Sequence, residues 1–128
     1  IANCILSAYR KMPTDGQYLK VKSANKQGFE IAQQGDSINF QNPNSETRRA
    51  RVGHKIANTL DTACNQGILK DYKIRRFTPL ECWRLQNFPD DAFYRAQKVN
   101  SDTQLYKQAG NSITVAVIEK IIKNVLNL

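Results

Sequence analysis

Three thiols, one imidazole and one dense run of guanidinium groups are the side chains here with chemistry to offer. The thiols are Cys4, Cys64 and Cys82, which follow Asn3, Ala63 and Glu81. A thiolate can act as a nucleophile. With a single histidine, His54, the scattered cysteines make no recognisable zinc spacing, so no structural metal is expected. An odd number of distant cysteines gives no disulfide framework and points to a reducing, cytoplasmic compartment. The segment 47–55 is basic, carrying Arg48, Arg49, Arg51, His54 and Lys55. Residues 41–76 hold eight Lys/Arg against three Asp/Glu, and they carry most of the overall net charge of +8. A clustered basic excess is the footprint of a polyanion binder. A solvated basic face without a partner has the same composition, and charge alone leaves both readings open.

Gly110-Asn111-Ser112-Ile113 is a second place of interest. A glycine that ends one helix just before another begins leaves free N–H groups and two small polar side chains at a helix start. Such a place can hold a polar ligand. As a bare pattern it reads first as a helix-cap turn.

The elements that would carry these residues follow from composition and spacing. Hydrophobic residues make up 41% of the chain and charged ones 23%, which fits a globular protein rather than a disordered one. No apolar run reaches the roughly 18 residues of a membrane span. The start, Ile1–Met12, has neither the basic end nor the long apolar centre of a signal peptide. Its apolar residues fit a helix face instead, ended by Pro13. The chain begins without Met, which points to a fragment of something longer. Leu19 and Val21, Phe29 and Ile31, and Ile38 and Phe40 alternate with polar residues between glycines, as in small antiparallel β structure. Ile56–Asp61 reads as a strand, Thr62–Gly67 as a loop, and Ile68–Phe77 as a hairpin turning near Lys70-Asp71. Character changes near Arg76, so residues 1–76 and 77–128 are expected to form separate regions.

Thr78-Pro79-Leu80-Glu81 is a helix start, with Thr78 as cap, Pro79 at the first position and Glu81 completing a capping box. Glu81 and Arg84, three apart, can pair with each other or with neighbours. Trp83 and Leu85 read as core, and Cys82 as a small buried residue. Ser101 can cap a helix over Asp102–Ala109 that Gly110 would end. Ile118, Ile121, Ile122, Val125 and Leu126 form a broad apolar stripe on a last helix of about fourteen residues. Burying such side chains is worth about 1.5–3 kcal/mol each, so the stripe must pack on something.

Two segments carry a family resemblance. Arg76-Phe77-Thr78-Pro79-Leu80-Glu81-Cys82-Trp83-Arg84-Leu85-Gln86-Asn87-Phe88-Pro89 resembles the ninth conserved block of cytosine-5 DNA methyltransferases. That block runs roughly Arg-x-Thr-x-x-Glu-x-x-Arg-Leu-Gln-Gly-Phe-Pro, and Asn87 stands where Gly is usual. Gln104-x-Tyr106-Lys107-Gln108-Ala109-Gly110-Asn111-Ser112-Ile113 resembles the tenth block. Upstream, Thr59-Leu60 is similar to a pair in the family's target recognition domain, which would make Thr62–Gly67 a base-contacting loop.

The resemblance implies an α+β chain: a small, irregular antiparallel β recognition region, then helices that pack on a Rossmann-like methyltransferase domain. It implies S-adenosylmethionine as cofactor, with Asn111 and Ser112 hydrogen-bonding it and Ile113 packing against it. It implies double-stranded DNA as partner, in a bacterial or phage-encoded enzyme. Arg48, Arg49, Arg51 and Lys55 would contact the DNA backbone, and Thr59, Thr62, Asn65 and Gln66 would lie at the recognition loop. Thr78, Glu81 and Arg84 would organise structure. In the family a Pro-Cys loop supplies the thiolate that attacks the flipped cytosine. No cysteine here follows proline, so no catalytic residue is expected in this chain. The missing catalytic domain would act in cis or trans. A stand-alone or split-subunit DNA-binding module without its own catalysis is the alternative.

Overall fold

The computed structural model of the protein describes residues 18–71 and 73–128. The helix expected within Ile1–Met12 lies outside the described residues. The chain is α+β, and the described residues form six short strands followed by four helices. It divides into two compact units. One holds the described residues up to Thr59 together with Asn65–Arg76, and the other holds Leu60–Cys64 and Phe77–Leu128.

The first unit is built from antiparallel pairs. Strands β1 (Tyr18–Lys22) and β2 (Phe29–Gln33) form a hairpin in which Tyr18 faces Gln33 and Lys22 faces Phe29. Strands β3 (Ser37–Asn39), β4 (Val52–Gly53), β5 (Gln66–Lys70) and β6 (Lys73–Arg76) form a sheet of order β4-β3-β5-β6. Period-two alternation turns Leu19 and Val21 inward, where they bury with Ala32, Ile38 and Leu69. The β5–β6 hairpin turns directly after Lys70, which pairs with Lys73, and Asp71 takes the positive φ (49°) that tight hairpin turns require.

The strand expected over Ile56–Asp61 does not form, and the strand β5 takes Gln66 and Gly67 out of the expected loop. The Gln66 side chain explains the first difference. Its Nε2 donates to the carbonyls of Asn58 (3.0 Å) and Thr59 (2.8 Å), and its Oε1 accepts from the Asn58 amide (2.9 Å). One buried amide thereby satisfies groups that a neighbouring strand would otherwise have to meet.

In the second unit, α1 (Pro79–Leu85) starts with the capping box. The Glu81 amide donates to Thr78 Oγ1, and the Thr78 amide donates to Glu81 Oε2 at 2.8 Å. Its end is a Schellman turn: the Phe88 amide reaches the Trp83 carbonyl (3.1 Å) and the Asn87 amide the Arg84 carbonyl (2.8 Å). Trp83 and Phe88 complete the turn with an apolar contact, their ring centroids 5.2 Å apart. Asn87 has φ 63°. This is the left-handed position where glycine is at ease, which accounts for glycine being usual there. Asn87→Gly is therefore expected to hold or raise the melting temperature. Asn87→Val is expected to cost about 1–2 kcal/mol, measured by thermal unfolding. Equal stability of the valine variant would contradict the strain.

Helix α2 (Asp90–Gln97) is not foreshadowed by a start signal in the sequence, because Pro89 at its cap offers no side-chain bond. Asp90 lies in its first turn and receives two bonds from Arg84, at 2.9 and 2.6 Å. Arg84 holds the Asp90 carboxyl below the usual carboxylate range. Arg84 thus pairs with Asp90, while Glu81 serves the cap. Helix α3 (Asp102–Asn111) is capped by Ser101 and runs through Gly110 rather than ending there. Helix α4 (Val115–Val125) has 11 residues, fewer than expected. Cys82, Phe93, Leu105 and Ala109 are buried and Trp83 is half-buried, but Leu85, expected in the core, is exposed. Among the described residues no helix is long and apolar enough to cross a membrane.

Candidate functional site

The basic segment follows an irregular path along the β4 edge of the four-stranded sheet. The Ala24 amide bonds the Arg48 carbonyl (2.8 Å), and Arg49 Nε bonds the Ala24 carbonyl (3.1 Å), so this stretch is tied to the β1–β2 turn. Positive φ at Ala50 (51°) and Lys55 (56°) bends the chain on either side of β4. Arg49 and Lys55 are exposed, and Arg48 is half-buried with a long bond to the Gln41 carbonyl (3.4 Å).

Arg51 is the exception. It is 1% exposed, and its guanidinium donates to the carbonyls of Asn39 (3.5 Å), Gln41 (3.1 Å) and Asn42 (2.7 Å). A side chain so enclosed has no face for a phosphate, so Arg51 leaves the expected DNA-contact set and becomes the clamp of the 39–42 segment. Gln66, equally buried and spent on Asn58 and Thr59, leaves it for the same reason. Thr59 is exposed, and Asn65 is half-buried with its carbonyl accepting from Phe40 (3.0 Å).

In the helical unit, Thr62 is exposed on the short segment Leu60–Cys64. That segment lies directly against Gly110: a Cβ at this glycine would meet Asp61 backbone atoms at 2.5 Å and the Thr62 nitrogen at 2.6 Å. Close approach, not helix termination, is what this glycine provides.

The turn from Ala109 to Val115 also departs from expectation. Asn111 is the last residue of α3, and Ser112 is its C-cap, with Oγ donating to the Ala109 carbonyl at 2.7 Å. The next helix starts only at Val115, so neither side chain stands at a helix N-terminus. The turn is held instead by a residue that the ninth-block pattern contains but to which no local spacing gives a role. Gln86 Nε2 donates to the Ala109 carbonyl (3.0 Å), its Oε1 accepts from Thr114 Oγ1 (2.7 Å), and its carbonyl accepts from the Val115 amide (2.9 Å). Gln86 belongs to the first block, Ala109 to the second, and Thr114 and Val115 follow directly after it, so one buried residue joins the two blocks. The only signal in the sequence is the presence of both blocks.

Asn111 is exposed and Ile113 is 63% exposed beside it. An outward amide next to an outward apolar side chain suits one wall of a site for a ligand with polar and flat parts, as S-adenosylmethionine has. These residues fit that group on one side and do not enclose it. The apolar stripe of α4, from Ile118 to Leu126, is likewise exposed.

Comparison with known proteins follows the same lines. The sequence profile of the C-5 cytosine-specific DNA methylase family matches residues 4–127. The orphan methyltransferase M.Rho11sI of Bacillus phage rho11s is 46% identical over 85 residues, which are 62% of this chain and 17% of that protein. A putative type II methyltransferase of Bacillus subtilis strain 168, M.BsuMIIP, is 45% identical over 85 residues, covering 62% and 19%. The type II methyltransferase M.BanI of Aneurinibacillus aneurinilyticus is 44% identical over 69 residues, covering 54% and 15%. The matched part therefore spans less than a fifth of the length of these relatives. No solved structure gives a significant match. The chain belongs to the C-5 cytosine-specific DNA methylase family.

Proposed function

We propose that this chain is the target-recognition and carboxy-terminal part of an enzyme that methylates C5 of cytosine in DNA. S-adenosylmethionine supplies the methyl group. The match of the family profile over residues 4–127 carries this reading. Arg48, Arg49 and Lys55 neutralise backbone phosphates, and Thr59, Thr62 and Asn65 lie at the recognition loop. Asn111 and Ser112 hydrogen-bond the methyl donor, Ile113 packs on it, and Gln86 positions all three. The nucleophilic thiolate comes from outside these 128 residues, since Cys64 and Cys82 are buried and no cysteine of the chain follows proline. The exposed face of α4 favours a Rossmann-like catalytic domain that covers it over a stand-alone binding module.

Two measurements test this. The 128-residue chain alone is expected to transfer no labelled methyl group to DNA, and turnover would overturn the division of labour. In the complete enzyme, Arg48→Ala with Arg49→Ala is expected to flatten the log–log salt dependence of DNA affinity by about 1.8, at about 0.9 per phosphate contact. An unchanged slope would remove these arginines from the interface.

A further inference from the structure

His54 differs from the other exposed groups of the basic segment because a buried carboxylate holds it. Its Nδ1 lies 2.9 Å from Asp36 Oδ2, with the His54 side chain 74% exposed and that of Asp36 4%. Asp36 precedes β3 and also accepts the amides of Gln33 (2.9 Å) and Lys55 (3.3 Å). Burial pushes the Asp36 carboxyl up, but the Gln33 amide, the His54 ring and the Lys55 amide outweigh it and hold the group below its ordinary range. An ionised carboxylate only accepts hydrogen bonds, so Nδ1 must carry a proton. Among the described residues this leaves Nε2 without a partner, on a side chain that is 74% exposed. It accepts in the neutral imidazole and donates in the cation.

His54 and Lys55 directly follow β4, an end strand of the four-stranded sheet, and Arg49 precedes it by three residues. The charged groups on the neighbouring elements are accounted for. Asp36 holds Nδ1, and Lys55 follows on the same loop. Glu30 of β2 is turned to Ser23 and the Val52 amide, and Arg51 is buried on the 39–42 carbonyls.

We infer that His54 is a further DNA-backbone contact, donating from Nε2 to a phosphate oxygen when protonated, with Asp36 as the positioning residue that aims it. This rests on the DNA-binding reading above. Protonation of the ring cancels the negative charge of the Asp36–His54 pair, so this stretch becomes one unit more positive on acidification. Phosphate affinity therefore rises on acidification.

The test uses the complete enzyme and duplex DNA, with affinity measured across a salt series near pH 6 and near pH 8. The wild-type log–log slope is expected to be steeper at the lower pH by up to about 0.9, the value of one phosphate contact. His54→Gln, at an exposed position, is expected to abolish that difference while leaving the slope at the higher pH unchanged. Asp36→Asn is expected to shrink the difference with His54 still present. A His54→Gln enzyme that keeps the full wild-type pH difference overturns the inference and leaves the DNA-binding reading standing. Wild-type enzyme whose DNA affinity has no salt dependence at either pH overturns that reading instead.

Discussion

Gly110→Ala is expected to destabilise the protein by about 1–3 kcal/mol, the usual cost of forcing an extra methyl group into packed structure. The added carbon would sit 2.5 Å from the carbonyl carbon and oxygen of Asp61 and 2.6 Å from the Thr62 nitrogen. These are backbone atoms, which cannot swing aside as a side chain tip can. The sign is what makes the result diagnostic. At an open site inside a helix, alanine is more stable than glycine by about 0.5–1 kcal/mol. Gly110 lies inside α3, so helix propensity alone predicts a gain. A lower urea midpoint with an unchanged m-value identifies the contact with the 60–64 segment as the stronger effect. A midpoint equal to or above the wild type would show that this segment moves away freely.

Arg51→Met is expected to cost about 2–4 kcal/mol, because it leaves up to three carbonyls without their charged donor. The two arginines differ in what they should change. Arg49→Ala, at an exposed site, should leave the midpoint within about 0.5 kcal/mol and lower DNA affinity. Arg51→Met should lower the midpoint, and Arg51→Lys should not restore it, since an ammonium cannot span the same carbonyls as a planar fork. A wild-type midpoint for Arg51→Met, with a flatter salt dependence, would return Arg51 to the DNA-contact set.

The contrast between these arginines marks how far the sequence could be followed. Where a signal is local, it was legible. Thr78, Pro79 and Glu81 define a helix start within four residues, and Lys70-Asp71 defines a turn within two. The stripe on α4 follows from its spacing alone. Arg49 and Arg51 have the same side chain two positions apart, and nothing near them tells which is buried. That is decided by the Asn39 amide bonding the Arg51 carbonyl at 2.8 Å, a pairing across twelve positions. Gly110 misled for a related reason. A glycine after a helical run ordinarily signals a C-cap, and only the distant Asp61-Thr62 backbone reveals its other use. Helix α2 was missed because its cap lacks the expected side-chain bond. Gln86 was hidden by its role, since its partners lie more than twenty residues away.

The way Gln66 holds residues 58 and 59 has a consequence for how such a protein can change over generations. A stretch secured through its own backbone by one distant amide places few demands on the identity of its side chains. Alternation, branching and register, which restrict a true strand, are relaxed there. Mutation can then explore new residues around Thr59 without disturbing the sheet, and under the proposed function the DNA sequence read there would drift while the scaffold stays the same.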